Sequence, residues 1–82
     1  MPVAAQVSLY PLRRARLSPT IDKALAVFRE RGLEVTPGAM STMIAGDEEA
    51  VFGALRDAFL AASEEELVMV VTVSNACPVP GT

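Results

Sequence analysis

The sequence has 82 residues, of which 51% are hydrophobic, and its seven basic and ten acidic residues give a formal net charge of −3. This length allows one domain with one small core, and the apolar content is too high for a disordered segment. Nucleic-acid binding is not expected, because it needs a basic surface to neutralise phosphates. The basic cluster of Arg13, Arg14 and Arg16 is typical of a solvated loop, with a phosphate contact as the alternative.

Catalytic and metal-binding chemistry is poorly supplied. The sequence contains no histidine and a single cysteine, Cys77, so it lacks the commonest general base and cannot form an internal disulfide. A lone cysteine near a strand end is more often a packing residue than a nucleophile. The longest apolar run, Leu67 to Val71, is too short to span a bilayer, and the first residues do not resemble a signal peptide. We expect a cytoplasmic protein without membrane insertion.

The first half of the chain begins with a strand and a helix. Ala4 to Leu12 alternates polar and apolar residues, which predicts a strand with one buried face. Ser18 and Pro19 form a helix start, since a capping hydroxyl precedes a proline at the first helical position. Gly32 favours the left-handed conformation that ends helices. The predicted helix carries one apolar stripe, made of Ile21, Ala24, Leu25 and Phe28.

The second half contains three further strands and another helix. Leu33–Thr36 and Ala39–Ala45 read as a hairpin. Asp47 is a good cap for the next helix, whose apolar stripe is Val51, Leu55, Ala58, Phe59 and Ala62, widened by Phe52. The three acids from Glu64 to Glu66 are typical of a solvated turn. Leu67–Asn75 is rich in β-branched residues and predicts the last strand, before a frayed tail at 78–82.

The order strand, helix, strand, strand, helix, strand predicts a single α+β domain of ferredoxin-like βαββαβ type over residues 1–82. Its two helices would cover one face of a four-stranded antiparallel sheet. Alternation assigns Val7, Leu9, Met69, Val71 and Val73 to that helix-covered face. The open face would carry Gln6, Ser8 and Tyr10 beside Val68, Val70, Thr72 and Ser74.

The third strand is ambiguous, because both of its faces mix polar and apolar residues. The preferred assignment puts Met40, Thr42 and Ile44 on the open face, with Thr42 beside Ser8. An open face this apolar needs a partner sheet or a ligand to cover it. Asn75 nominally points toward the helices, so the strand must twist there if its amide is to reach the open face.

Three segments together resemble the YkoF-type thiamine- and hydroxymethylpyrimidine-binding domain, which belongs to a wider thiamine-binding group of ferredoxin-like proteins. The segments are 6–12, 40–47 and 74–77. Between the last two, the helix pattern of the family is matched by Val51, Phe52, Ala54, Leu55 and Phe59. The resemblance implies the same fold and an intracellular, non-catalytic role in binding thiamine or its pyrimidine moiety, without a cofactor.

The side chains are compatible with that ligand. The amide of Asn75 or Gln6 could pair with an aminopyrimidine edge, as asparagine pairs with adenine. Tyr10 could stack on a ring or attract a thiazolium cation, a contact worth about 0.5–2 kcal/mol. Hydroxyls and a flexible methionine would complete the site. The candidate ligand-binding residues are therefore Gln6, Ser8, Tyr10, Met40, Ser41, Thr42, Ser74 and Asn75.

The resemblance also bears on assembly. YkoF-type chains carry two such repeats, whereas this sequence holds one, so a homodimer would restore the pair and a dimer of dimers would give a tetramer. The competing hypothesis is an oligomerisation module whose open face packs only against its own copy, with Tyr10 and the methionines as interface residues. A small ferredoxin-like enzyme of the isomerase or monooxygenase kind is a third possibility, although its general base is missing.

Overall fold

The computed structural model describes residues 1–12, 18–64 and 66–76. The elements are β1 (Pro2–Pro11), α1 (Ser18–Glu30), β2 (Glu34–Pro37), β3 (Thr42–Asp47), α2 (Glu48–Ala62) and β4 (Leu67–Ser74). The strands form one antiparallel sheet in the order β2-β3-β1-β4. The helices pack on each other, α1 on β2 and α2 on β3 and β1. The predicted ferredoxin-like α+β fold is confirmed.

The central strand β1 carries the alternation that the sequence predicts. Val3, Ala5 and Val7 are at most 3% exposed and point toward the helices. The residues between them, including Gln6 and Ser8, face the open side of the sheet. β1 can therefore contribute to the core and to the open face at the same time.

Local signals determine where the helices begin and end. α1 starts at Ser18 as predicted, and Gly32 follows its last turn with φ of 73°, the conformation that glycine adopts at least cost. Asp47 occupies the N-cap position of α2 with extended backbone angles, but its side chain makes no capping hydrogen bond. Glu48 and Glu49 lie in the first turn, where the helix dipole favours negative charge.

The core lies between the helices and the sheet. Its largest fully buried side chains are Phe28 from α1, Ile44 from β3 and Val51 from α2. Small residues at Ala54 and Ala58, both at 0% exposure, let α2 lie close to the strands. Burial of these apolar surfaces is the main favourable contribution to the stability of the domain.

The preferred face assignment of the third strand is wrong. Thr42 pairs with Val7 and Ile44 with Ala5, so both face the helices, and Ile44 is fully buried. The strand also starts at Thr42, three residues later than predicted, which leaves Met40 in a loop. Ile44 decides the register because a one-residue slip would move its side chain from the core to the open face.

Two further expectations need correction. Phe59, expected in the buried stripe of α2, is 40% exposed, and Phe52 is 54% exposed. Val73, expected under the helices, is 38% exposed. Val73 lies near the end of β4, whereas Met69 and Val71, assigned to the same face, are partly buried against the core as expected. β4 also ends at Ser74, so Asn75 lies beyond the strand.

Several predictions fall on residues outside the described part of the chain. They concern Cys77, the tail 78–82, Glu65 and the arginines at 13, 14 and 16. Among the described residues, neither helix is long and apolar enough to cross a membrane.

The corrected register of β3 can be tested by two alanine substitutions. Ile44→Ala should lower the free energy of unfolding by about 2–5 kcal/mol, because it leaves a cavity in the core. Met43→Ala, on the open face and only partly buried, should cost clearly less. Urea unfolding of both variants measures the difference, and a larger loss for Met43→Ala would contradict the register.

Candidate functional site

The candidate site arises where β1 extends beyond β3. The pairing of β1 with β3 ends at Val7 and Thr42, whereas the pairing of β1 with β4 continues to Pro11 and Leu67. The part of β1 from Ser8 onward therefore has β4 on one side and no strand on the other. This gap at the edge of β3 is filled by the loop that joins β2 to β3.

The loop of residues 38–41 is folded back on itself and attached to β1. The Gly38 N–H donates a hydrogen bond to the Ser41 carbonyl at 2.8 Å. The Gln6 side-chain amide donates to Ser41 Oγ at 3.0 Å. The Ser8 hydroxyl lies 3.5 Å from the Met40 carbonyl, at the outer limit of a hydrogen bond. Two polar side chains of β1 thus hold the loop beside the strand.

A glycine is required at position 38. A Cβ atom at this position would lie 2.8 Å from the Ser41 carbonyl oxygen, closer than a carbon and a backbone oxygen can approach without a shift. The tight turn between Pro37 and Thr42 therefore depends on the missing side chain. The turn in turn determines where the Ser41 and Met40 groups lie relative to β1.

A cavity of about 100 Å³ lies between this loop, β1 and α1. It is partly open to solvent. Its lining residues come from three elements of the chain: Val7, Ser8, Leu9, Ile21, Ala24, Leu25, Phe28, Gly38, Ala39, Met40, Ser41 and Thr42.

The two sides of the cavity differ in chemistry. The α1 side is apolar, with Ile21, Leu25 and Phe28 at helical spacing. The strand and loop side is lined by Ser8, Thr42 and the loop residues 38–41. Thr42 lies on the helix side of the sheet, whereas the Ser8 and Ser41 hydroxyls contact the Met40 carbonyl and the Gln6 amide. None of the described residues lining the cavity has a charged side chain. Such a cavity can hold a flat, uncharged group through apolar contact on one side and hydrogen bonds on the other.

Six of the eight predicted ligand-binding residues lie around this end of β1. Ser8, Met40, Ser41 and Thr42 line the cavity, Thr42 from the helix side of the sheet rather than from the open face. Gln6 contacts the cavity indirectly, through its hydrogen bond to Ser41. The Met40 side chain is 84% exposed. Tyr10 is 50% exposed on the open face and does not line the cavity.

Ser74 and Asn75 lie at the other end of the sheet. Ser74 pairs with Ala4, six residues before Tyr10 on β1, which corresponds to about 20 Å along the strand. The Ser74 hydroxyl accepts a hydrogen bond from the Ala76 N–H at 3.1 Å, and the Asn75 amide lies 3.4 Å from the sulfur of Met1. The structure does not bring these two residues together with the cavity.

The same end of the sheet carries an ion-pair cluster. The Met1 ammonium lies 3.1 Å from a Glu48 carboxylate oxygen and 3.3 Å from an Asp47 carboxylate oxygen. Hydrogen bonds to Glu48 and to Asp47 raise the pKa of this ammonium above its ordinary value. All three groups are well exposed to solvent, so the cluster is a surface contact and contributes little stability.

The residues that sequence reasoning missed as site residues are those of α1. Ile21, Leu25 and Phe28 were predicted, by their spacing, as part of an apolar stripe; Phe28 is in the core, Leu25 packs against it, and Ile21 is partly buried. The signal that they also line a cavity is not local, because it depends on how far β3 extends along β1. Gly38 lies between the two predicted hairpin strands, and its role in the loop was not predicted. No cluster of three or more potential metal ligands occurs among the described residues.

Comparison with known proteins places the chain among thiamine-related proteins. Residues 5–76 match the family model described as "Thiamine-binding protein". The chain is 37% identical over 57 residues to the UPF0045 protein MJ1052 of Methanocaldococcus jannaschii; the match covers 68% of this chain and 57% of that protein. The chain thus matches little more than half the length of this relative.

Solved structures give the same picture of the fold. The crystal structure of MJ1052, a hypothetical protein, superposes with a TM-score of 0.85 at 27% identity, covering 99% of this chain and 87% of that one. A domain of unknown function from Bacillus cereus superposes with a TM-score of 0.78 at 22% identity, covering 89% of this chain and 74% of that one. A proposed thiamine biosynthesis/salvage protein of Thermotoga maritima superposes with a TM-score of 0.79 at 17% identity, covering 89% of this chain and 82% of that one.

Gly38→Ala tests the role of the loop. The added Cβ must displace the Ser41 carbonyl, so we expect a loss of about 1–3 kcal/mol in the free energy of unfolding and shifted amide resonances at Ser41 and Thr42. Gly53→Ala in α2 is the matched control, because its Cβ would lie 3.4 Å from the flexible end of the Arg31 side chain and alanine favours helix. Equal stability and unchanged loop resonances in Gly38→Ala would show that the turn does not need glycine.

Proposed function

The chain belongs to the thiamine-binding protein family, and from this premise we propose that it binds thiamine, or the hydroxymethylpyrimidine moiety of thiamine, without catalysis. The single observation that supports this proposal most strongly is the cavity between β1, α1 and the loop 38–41. It combines an apolar wall with several hydroxyls in the part of the chain where most of the predicted ligand residues lie.

The size of the cavity favours one ring. Ligand pockets for drug-sized molecules usually measure about 300–1,000 Å³, whereas a cavity of about 150 Å³ is enough for benzene. At about 100 Å³ this cavity is smaller than both, so we propose that only part of a single ring enters it, through the side that is open to solvent. We propose that the pyrimidine end enters and that the rest of thiamine stays at the mouth.

The hydroxyls suit the edge of an aminopyrimidine. Such an edge presents an amine donor beside ring-nitrogen acceptors, and serine and threonine hydroxyls can both donate and accept. Thr42 lines the cavity from the helix side, and Ser8 and Ser41 line it where their hydroxyls contact the Met40 carbonyl and the Gln6 amide. The aliphatic side chains of Ile21 and Leu25 on the opposite wall would contact the flat face of the ring.

The mouth of the cavity suits the rest of the ligand. Met40 is highly exposed and flexible, so it can pack on a ring that projects from the cavity. The uncharged lining offers no partner to a phosphate, so we propose that a charged group on the ligand stays in solvent. The contact of Tyr10 with a thiazolium, and the roles of Ser74 and Asn75, stay predictions.

A binding role without catalysis agrees with the family and with the site's chemistry. The cavity is lined by hydroxyls and apolar groups, and nothing among the described lining residues would act as a general base or activate a hydroxyl. We propose salvage, transport support or sensing as the setting of this binding. The cytoplasmic location expected from the sequence is part of the same proposal.

A second role, self-association through the open face, is favoured by a separate observation. Tyr10 is 50% exposed there, beside Val68 at 44% and Val70 at 51%. Contiguous apolar groups of this kind often mark an interaction surface. We propose that a dimer or tetramer would cover this face, which does not compete with a ligand in the cavity on the helix side.

Calorimetric titration with thiamine and with hydroxymethylpyrimidine tests the proposed function. Both should bind, because both contain the ring that suits the cavity. Thr42→Val removes one hydroxyl at nearly constant volume and should weaken binding about five- to tenfold, corresponding to a hydrogen bond of about 1–1.4 kcal/mol. Leu25→Trp should fill the cavity and abolish binding.

Leu60→Trp is the matched control, because Leu60 is a helix residue 65% exposed to solvent on α2. It should bind like the unmodified chain. Thermal unfolding of each variant shows whether it is folded. Absence of heat with both ligands at millimolar concentration would refute the proposal. If the unmodified chain binds neither ligand, and if it and the Thr42→Val variant self-associate equally well, the second role alone is supported.

A further inference from the structure

The four methionines of the chain differ widely in their exposure to solvent. Met40 is 84% exposed, the largest value among the exposed large apolar side chains, and Met1 is 55% exposed. Met43 and Met69 are partly buried, and Met69 packs against the core. Since oxidation of a side-chain sulfur depends on its access to a dissolved oxidant, Met40 is the thioether that an oxidant reaches most easily.

The backbone around Met40 is held in place although its side chain is exposed. The Gly38 N–H donates to the Ser41 carbonyl at 2.8 Å, and the Gln6 side-chain amide donates to Ser41 Oγ at 3.0 Å. The Ser8 hydroxyl lies 3.5 Å from the Met40 carbonyl. These contacts hold the loop on both sides of Met40, which is one of the residues that line the cavity. A change in the chemistry of this side chain is therefore a change at the cavity mouth.

Met1, the other well-exposed methionine, lies away from the cavity. The neighbouring Pro2 pairs with Asp47, at the end of the sheet far from the loop 38–41. The Asn75 side-chain amide donates a hydrogen bond to the Met1 sulfur at 3.4 Å, which engages an electron pair that would otherwise attack an oxidant. Met1 should react more slowly than Met40, and its oxidation should not change the cavity.

We propose that Met40 is a site of reversible oxidation by hydrogen peroxide, and that its oxidation weakens the binding of thiamine. The inference rests on the proposed function, in which the Met40 side chain packs on the part of the ligand that projects from the cavity. The thioether sulfur attacks one peroxide oxygen, so a sulfur–oxygen bond forms and the oxygen–oxygen bond breaks. The sulfur loses two electrons, and the departing hydroxide takes the proton of the transferred oxygen and leaves as water.

The resulting sulfoxide changes the chemistry of the cavity mouth. The thioether is apolar, flexible and polarisable, whereas the sulfoxide is polar and accepts hydrogen bonds from water. A ring packed on the sulfoxide would displace this water, and the aliphatic side chains of Ile21 and Leu25 have no donor to replace it. A methionine sulfoxide reductase returns the sulfur to the thioether, with a dithiol as the electron donor and water as the second product.

Peroxide treatment followed by peptide mapping and calorimetry tests the proposal. Mass spectrometry of the peptides should show the gain of one oxygen at Met40 before any other methionine gains one. The chain oxidised at Met40 should bind thiamine about two- to tenfold more weakly than the reduced chain, the range expected for the loss of a contact between sulfur and an aromatic ring. Treatment with the reductase and a dithiol should restore the affinity.

Two leucine variants separate Met40 from the other oxidisable groups. Met40→Leu has no sulfur at this position, so peroxide should leave its thiamine affinity at the value measured before treatment. Met43→Leu is the matched control, because Met43 is partly buried on the open face and does not line the cavity. It should lose affinity on oxidation as the unmodified chain does. An effect through the single cysteine, Cys77, would persist in Met40→Leu.

The proposal is overturned if another methionine is oxidised first, or if the chain oxidised at Met40 binds thiamine as tightly as the reduced chain. It is equally overturned if Met40→Leu loses affinity on treatment, or if the oxidised chain unfolds at a clearly lower temperature, since Met40 is not part of the core. A reduced chain that binds neither thiamine nor hydroxymethylpyrimidine refutes the proposed function as well. Binding by the reduced chain that oxidation does not change refutes this inference alone.

Discussion

The structure depends on the unequal pairing of its central strand. β1 is bonded to β4 over its whole second half but to β3 only as far as Val7. Where the two central strands are paired, their alternate side chains build the core with Ile44 and Val51. Where β3 is missing, the space beside β1 is bounded by α1 and by a loop held to β1 by Gln6. The core thus lies along the part of β1 that is paired with β3, and the cavity lies along the part that follows it.

This arrangement explains why the proposed ligand site has two kinds of wall. α1 presents the same apolar stripe along its whole length, because helical spacing repeats it at every turn. Ala24 and Phe28 of this stripe are buried in the core, and the partly buried Ile21 and Leu25 line the cavity together with the loop. The hydroxyl-bearing residues of the lining, Ser8, Ser41 and Thr42, belong to the strands and the loop rather than to α1.

Much of the fold could be predicted from the sequence. Alternation in β1, the cap and glycine around α1, and the acids at the start of α2 are local signals, and each element that they predict is confirmed. The face assignment of β3 was wrong because both parities of the segment Met40–Ala45 mix polar and apolar residues. The decisive fact, that Ile44 reaches the core, depends on where the loop ends and on pairing with residues far away in the chain.

The candidate site was predictable only in part, for the same reason. The polar residues of β1 and the 38–41 loop could be named from the sequence, since they lie in segments that resemble the family. Their grouping could not, because register and strand length decide which residues are neighbours. Asn75 was grouped with Tyr10 by the resemblance, whereas antiparallel pairing puts the end of β4 beside the start of β1.

We propose that the ligand enters the cavity between β1, α1 and the loop 38–41. The most direct measurement is an NMR titration of the isotope-labelled chain with thiamine, followed through backbone amide and methyl resonances. Binding in the cavity should give the largest changes at Leu9, Ile21, Leu25 and Met40, with little change at Asn75. Changes centred on Ser74 and Asn75, or no saturable change at any resonance, would contradict it.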